Sequence, residues 1–256
     1  MTYSFPCQDI SQQGNQRGLN KNTRSGLLYE IERILTNNKD RLPKVLLLEN
    51  VKALTSRKFI KQFNEWINIL NKLGYKSEWK IINSIEFGSL QNRERVFCVS
   101  YLNDKHEFSW PKAIDKKKSL SKIFTSRNEM RSANHLLKYL NGAFSRTNNN
   151  IWKTKLIEYT NFNSEAYVYL PKGYGPTLTA SGANSRLKFY FRDIEEIKFI
   201  SPSQAFLYMG FDKKDYLIAN KDNIISESKL IYLCGNSISI EVLEALFKQI
   251  IECQII

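Results

Sequence analysis

Apolar positions in the first 110 residues recur in two alternating rhythms. Leu27, Leu28, Ile31, Ile34 and Leu35 fall at helical spacing, and Phe59, Phe63, Trp66, Ile67 and Leu70 form a second helical face. Val45 to Leu48 and Val96 to Tyr101 are short unbroken apolar runs, the pattern of strands covered on both faces. Thr2 to Phe5 adds a strand-like opening. The alternation predicts an α/β doubly wound sheet, in which ligands bind beyond the carboxyl ends of strands. Cys7, Glu49 and the loop holding Arg93 and Arg95 all fall at such ends, so residues far apart in sequence can converge on one site.

From Pro111 to about Arg192 the rhythm lapses into polar, Asn- and Ser-rich sequence, with a helical patch near Leu136 to Leu140 and short aromatic strands at Tyr167 to Leu170 and Leu187 to Phe191. Ser201-Pro202-Ser203-Gln204 then reads as a capping box with proline at the first helical position, and Gly210 ends that helix. Ser239 caps a last helix whose Val242, Leu243, Leu246, Phe247 and Ile250 are expected to face inward. The division expected is a main domain over 1–110, a smaller domain over 111–195 and a segment over 196–256 that returns to the first. With 42% hydrophobic residues in 256, the chain can bury a sizeable core.

Charge adds a partner class. Thirty-eight basic against 25 acidic residues leave a formal charge of +13, which favours a polyanion, with nucleic acid ahead of an anionic membrane because no single basic amphipathic helix carries the excess. A lysine-rich surface without a binding role fits the same count. Cys7, Cys98, Cys234 and Cys253 are too few and scattered for a disulfide framework, and no C-x-x-C pair suggests zinc. A reducing cytoplasm is expected. His106 and His135 stand in polar settings and give no metal or histidine chemistry. No apolar run is expected to reach the ~18 to 20 residues of a membrane span.

Pro6-Cys7-Gln8 follows the opening strand and offers an attacking thiol on a constrained turn. Alone it reads more readily as a small buried hydrophobe. Its company changes that reading: Leu46-Leu47-Leu48 runs into Glu49-Asn50-Val51, a charged loop holds Gln91-Asn92-Arg93-Glu94-Arg95, and Cys234-Gly235-Asn236-Ser237 comes near the end. In this order the motifs resemble the catalytic, acid, arginine and C-terminal motifs of the DNA cytosine 5-methyltransferases. YSFPCQDIS from Tyr3, RSGLLYEIERI from Arg24, GPTLTASGANSRL from Gly175 and GNSISIEVLEA from Gly235 resemble in particular the SssI-type bacterial CpG methyltransferases.

That resemblance implies a set of roles. Cys7 would add as thiolate to the cytosine 6-position, making the 5-carbon nucleophilic toward the methyl of S-adenosylmethionine. Glu49 would protonate or hydrogen-bond the ring nitrogen and exocyclic amine, with Arg95 and Arg93 fixing the cytosine carbonyl and the nucleophile. Outside this company Glu49 reads as half of a structural ion pair and the arginines as a solvated loop. The target cytosine of double-stranded DNA would be flipped out, with Gln13 in the loop Ser11-Gln12-Gln13-Gly14 filling the hole and Phe162 a second wedge. Thr177, Thr179 and Ser181, with Gly182, would let backbone and small hydroxyls approach base edges. Pro6, Asn236 and Ser237 would line part of the cofactor site. The family's opening F-x-G-x-G turn, and the acidic residue after it, have no counterpart here. The chain therefore resembles a methyltransferase whose N-terminal sheet strands are missing and whose cofactor pocket is incomplete: either one half of a split enzyme, whose partner would be an N-terminal half-enzyme carrying that turn, or a truncated product, expected in both cases to be inactive alone. Two alternatives stand beside catalysis: a non-catalytic DNA-binding remnant of the fold, and an RNA cytosine methyltransferase.

Overall fold

The computed structural model describes residues 1–7, 10, 24–102, 105–114, 118–161, 165–180 and 186–255. They divide into two compact units. Met1–Asn83, Glu94–Lys112 and Ala245–Ile256 form the first; Ser84–Arg93 and Ala113–Glu244 form the second. This differs from the expected division, since residues 196–244 pack within the second unit and only the second half of the last helix belongs to the first.

The first unit holds β1 (Thr2–Tyr3), α1 (Leu28–Thr36), β2 (Val45–Val51), α2 (Ile60–Lys72), β3 (Lys76–Asn83) and β4 (Glu94–Tyr101), with the strands in the order β1-β2-β4-β3. β1 runs parallel to β2, placing Thr2 opposite Leu47 and Tyr3 opposite Leu48. β4 is antiparallel to both its neighbours, a departure from a wholly parallel sheet. The cause is the connection: β3 and β4 are joined without a crossover helix, so the chain must reverse. Strand periodicity then sorts the side chains. Leu46, Leu48, Val96 and Cys98 join Leu28, Leu35, Phe63, Trp66 and Leu70 in one core. Asn50 shares their parity, whereas Glu49 has the parity of Leu47 and Val51. Burying Phe63 and Trp66 contributes on the order of 1.5–3 kcal/mol each, and Trp66 Nε1 donates to the Tyr3 hydroxyl at 2.9 Å, so the indole enters the core with its donor satisfied.

On α1, Leu28 and Leu35 are buried while Ile34 is exposed, as is Leu27 just before the helix, against the expected face. At 100° per residue Ile34 lies 240° beyond Leu28, off the stripe. The same geometry turns Phe247 outward on the last helix while Val242, Leu246 and Ile250 are buried.

The second unit is built on a sheet of β5 (Ser145–Arg146), β6 (Ile151–Lys155), β7 (Tyr167–Gly173), β8 (Lys188–Phe191) and β9 (Glu196–Phe199), in that order and antiparallel except for β7 and β8. One core gathers Leu178, Phe189, Phe191, Phe206, Tyr208 and Met209; another gathers Leu136, Leu156, Val168 and Ile197. Helices α3 (Pro202–Met209), α4 (Lys213–Ala219) and α5 (Glu227–Asn236) follow, and α6 (Ile240–Glu252) carries the chain back into the first unit. α3 starts as expected: Gln204 N donates to Ser201 Oγ at 3.3 Å, Ser201 N donates to Gln204 Oε1 at 3.0 Å, and Gly210 closes the helix. The stretch Glu227–Glu252 reaches a mean hydropathy of 1.5 over a span-length window, contrary to the sequence expectation. It folds as α5 and α6 with a break at residues 237–239, and neither helix alone has the length of a span.

Candidate active site

β1 and β2 point their carboxyl ends the same way, and there the chain brings Pro6, Cys7 and Glu49 together. Three hydrogen bonds shape the turn that carries Cys7. Ser4 Oγ donates to the Glu49 carbonyl at 2.9 Å, Asn50 Nδ2 donates to the Phe5 carbonyl at 3.0 Å, and Ser25 Oγ donates to the Pro6 carbonyl at 2.8 Å. Ile10 N then donates to the Cys7 carbonyl at 2.9 Å. Asn50 and Ser25 are buried, so removing either amide or hydroxyl strands a carbonyl beside the thiol. Neither residue was assigned a role from sequence, although both stand inside the matched motifs; a polar residue within an apolar strand end was the available signal.

Glu49 pairs with Arg95, Nε to Oε1 at 3.2 Å, both side chains less than a fifth exposed. The register explains the contact. Val51 faces Arg95 and Glu49 faces Phe97, so Glu49 and Arg95 are diagonal neighbours on one sheet face. Burial pulls Arg95 below its usual range, while the negative charges of Glu49 and of a Cys7 thiolate act against that pull. Thiol, carboxylate and guanidinium thus share one electrostatic neighbourhood within the first unit.

Arg93 falls elsewhere. It belongs to the second unit, where its guanidinium donates from Nη1 to the Leu178 carbonyl at 2.8 Å and from Nη2 to the carbonyls of Gly235 and Ser237 at 3.0 and 2.9 Å. A buried guanidinium donating to three carbonyls is a structural tie, whereas Arg95 pairs with Glu49 in the first unit. Gly235 reinforces the tie, because a Cβ there would fall 2.2 Å from the Thr179 carbonyl carbon and the Ala180 nitrogen. The Thr177 hydroxyl donates to the Asn92 carbonyl at 2.6 Å. Thr179 is half-buried. Gln13, Phe162 and Ser181 lie outside the described residues.

Of the residues expected at the cofactor, Pro6 lies in the first unit and Asn236 and Ser237 in the second. The Pro6 carbonyl accepts from Ser25, and Ser237 donates its hydroxyl to the Leu233 carbonyl at 2.9 Å while its own carbonyl accepts from Arg93. Asn236 is the exposed polar side chain of the three. Among the described residues no cluster of three or more metal-ligating side chains occurs.

The other thiols have different settings. Burial raises Cys98 from 9.0 to about 12, with the Ser100 hydroxyl pulling the other way, and burial raises Cys234 to about 12. Burial also pulls Cys253 upward, but hydrogen bonds from Ser109 and Gln249 outweigh it and hold that thiol below its ordinary value. Burial likewise raises Tyr3, Tyr169 and Tyr208. These raised groups keep their protons when folded at a pH where the unfolded chain loses them. The unfolded state then binds fewer protons, so stability is full below about pH 9 and falls as pH rises. At pH 10.5 each buried thiol should cost up to roughly 2 kcal/mol. Urea midpoints should hold steady from pH 7 to 8.5 and drop steeply by 10.5, less so in Cys98→Ala; a midpoint unchanged at 10.5 would contradict this.

Comparison with known proteins agrees with this architecture. The family model described as C-5 cytosine-specific DNA methylase matches residues 1–252. The chain is 48% identical over 254 residues to the orphan methyltransferase M.SssI of Spiroplasma monobiae, covering 98% of this chain and 65% of that protein. It is 34% identical over 269 residues to the type II methyltransferase M2.ScrFI of Lactococcus lactis subsp. cremoris, covering 99% of this chain and 66% of the relative. The chain therefore spans a little under two thirds of the length of these relatives. Among solved structures, the Entamoeba histolytica methyltransferase EhMeth superposes with a TM-score of 0.70 at 17% identity, covering 98% of this chain and 76% of that one, a likeness of fold. With its motifs in order, its sheet ending in the Cys7 turn and the match running nearly end to end, this chain belongs to the C-5 cytosine-specific DNA methylase family.

Proposed function

We propose that the chain carries the nucleophile and the acid of a DNA cytosine-5-methyltransferase acting in the cytoplasm on a cytosine flipped out of double-stranded DNA, in CG sites. The observation that carries this is the grouping of Cys7, Glu49 and Arg95 at the carboxyl ends of β1 and β2. The Cys7 thiolate adds to the 6-position of the ring, forming a carbon–sulfur bond and pushing electrons toward the ring nitrogen. Glu49, as a carboxylic acid, delivers a proton there, and Arg95 holds Glu49 in place and faces the thiolate. S-adenosylmethionine, when bound, supplies the electrophilic methyl that the 5-carbon accepts. Water then takes the 5-proton, the carbon–sulfur bond breaks and returns the thiolate, and the ring nitrogen gives its proton back to Glu49. CG as target rests on the resemblance of GPTLTASGANSRL to the SssI-type recognition block.

No F-x-G-x-G turn stands in these 256 residues. The test therefore combines this chain with a separately expressed segment bearing that turn and maps methylation of plasmid DNA by bisulfite sequencing. Methyl groups on cytosine in CG are expected. Methylation of cytosine in other sequences would remove the CG assignment, and DNA binding without any methylation would leave the chain a DNA-binding remnant of the fold.

A further inference from the structure

The segment Gly175–Leu178 leaves β7 and joins no strand ladder beyond isolated bridges, so its backbone polar groups must be satisfied by other means. Buried side chains and one neighbouring strip of chain do this. Gly175 N donates to the Leu90 carbonyl at 2.8 Å, and Asn92 N donates to the Gly175 carbonyl at 2.8 Å. The Tyr208 hydroxyl donates to the Pro176 carbonyl at 2.6 Å. Leu178 N donates to Gln91 Oε1 at 3.2 Å, and Gln91 Nε2 continues to the Tyr208 carbonyl at 3.3 Å and to Met209 Sδ at 2.8 Å. Gln91 and Tyr208 are fully buried, and the Tyr208 hydroxyl sits where a Cβ on Gly175 would be, 1.9 Å away. Burying an amide and a phenol against an irregular loop is costly compared with an apolar filling, and what such a network returns is one fixed arrangement.

We propose that Gln91 and Tyr208 are positioning residues for DNA sequence readout: they clamp Gly175–Leu178 so that Thr179, the next residue, meets a base edge in a single register. The proposal rests on the reading of that segment as the recognition block. Tyr208 acts through the Pro176 carbonyl and Gln91 through Leu178 N, and neither touches DNA. Loosening the clamp lets Thr179 sample several positions, which lowers discrimination between sequences while leaving phosphate contacts alone.

The test is competition binding of the whole chain at fixed salt to the duplex it prefers, found by selection from a randomised pool, against a scrambled duplex. Tyr208→Phe and Gln91→Leu are compared with Ile200→Val, a change in the same core that touches none of these hydrogen bonds. Each clamp variant should lose about tenfold in the ratio of the two affinities, the size of one base-edge contact, with unchanged binding to the scrambled duplex and an unchanged salt slope. Ile200→Val should keep the full ratio at a similar thermal midpoint. An undiminished ratio in the clamp variants, or an equal loss in Ile200→Val, would overturn the proposal, as would a parent chain with no sequence preference. Methylation is scored separately, so a chain that selects a sequence but transfers no methyl sinks the activity and not the clamp.

Discussion

Replacing Cys7 by alanine should abolish covalent capture of DNA containing 5-fluorocytosine by the chain supplemented with the F-x-G-x-G segment, and should lower methylation on the order of 10⁴-fold or more. Fluorine at the 5-position cannot leave as a proton does, so the carbon–sulfur bond persists and the adduct can be located by mass spectrometry. Removing the nucleophile takes away the step that makes the 5-carbon reactive, and neighbouring groups cannot replace it. Two of the other thiols are unsuited: Cys98 and Cys234 are buried and held to about 12. Cys253 is the relevant competitor, half-buried and below its ordinary value, yet it lies at the end of α6 beside Ser109 and Gln249 with no carboxylate–guanidinium pair assigned to it. Cys253→Ala should therefore leave capture intact. An adduct mapped to Cys253, or one surviving Cys7→Ala, would reject the assignment. Glu49→Gln should be slower than the parent yet still captured, because it removes the proton donor and keeps the nucleophile.

Arg93→Ala should be the most destabilising change in the second unit, costing about 3–5 kcal/mol. The guanidinium joins Leu178, Gly235 and Ser237, carbonyls from two distant parts of the chain, and each would be left buried without its donor. Arg93→Lys should recover only part of the loss, since a single ammonium on a flexible stem cannot present a planar fork to three acceptors. Chemical denaturation followed by fluorescence gives the measurement. A loss below about 1 kcal/mol would show that the carbonyls find water or other donors, and equal stability of the alanine and lysine variants would remove the argument from geometry.

Much of this molecule was legible from the chain alone. Periodicity placed α2 and its buried face of Phe63, Trp66 and Leu70, because an amphipathic helix of that length has one way to hide its apolar stripe. The apolar runs gave β2 and β4, and Ser201 with Gln204 gave the start of α3, since capping is a local hydrogen-bond problem solved by adjacent residues. The motif order gave the family and brought Cys7 and Glu49 to strand ends. What the sequence left open was decided by register and long-range pairing. Arg93 and Arg95 stand two residues apart in one charged motif, and only the folded chain shows one tying three carbonyls in the second unit while the other pairs with Glu49 in the first. Asn50, Ser25, Gln91 and Tyr208 act on backbone groups 19 to 117 residues away, so their roles are fixed by which carbonyl the fold delivers to them. Polar side chains in local contacts announce themselves in sequence; a buried polar side chain whose partner arrives from a distant segment becomes readable only when tertiary packing has brought the two together.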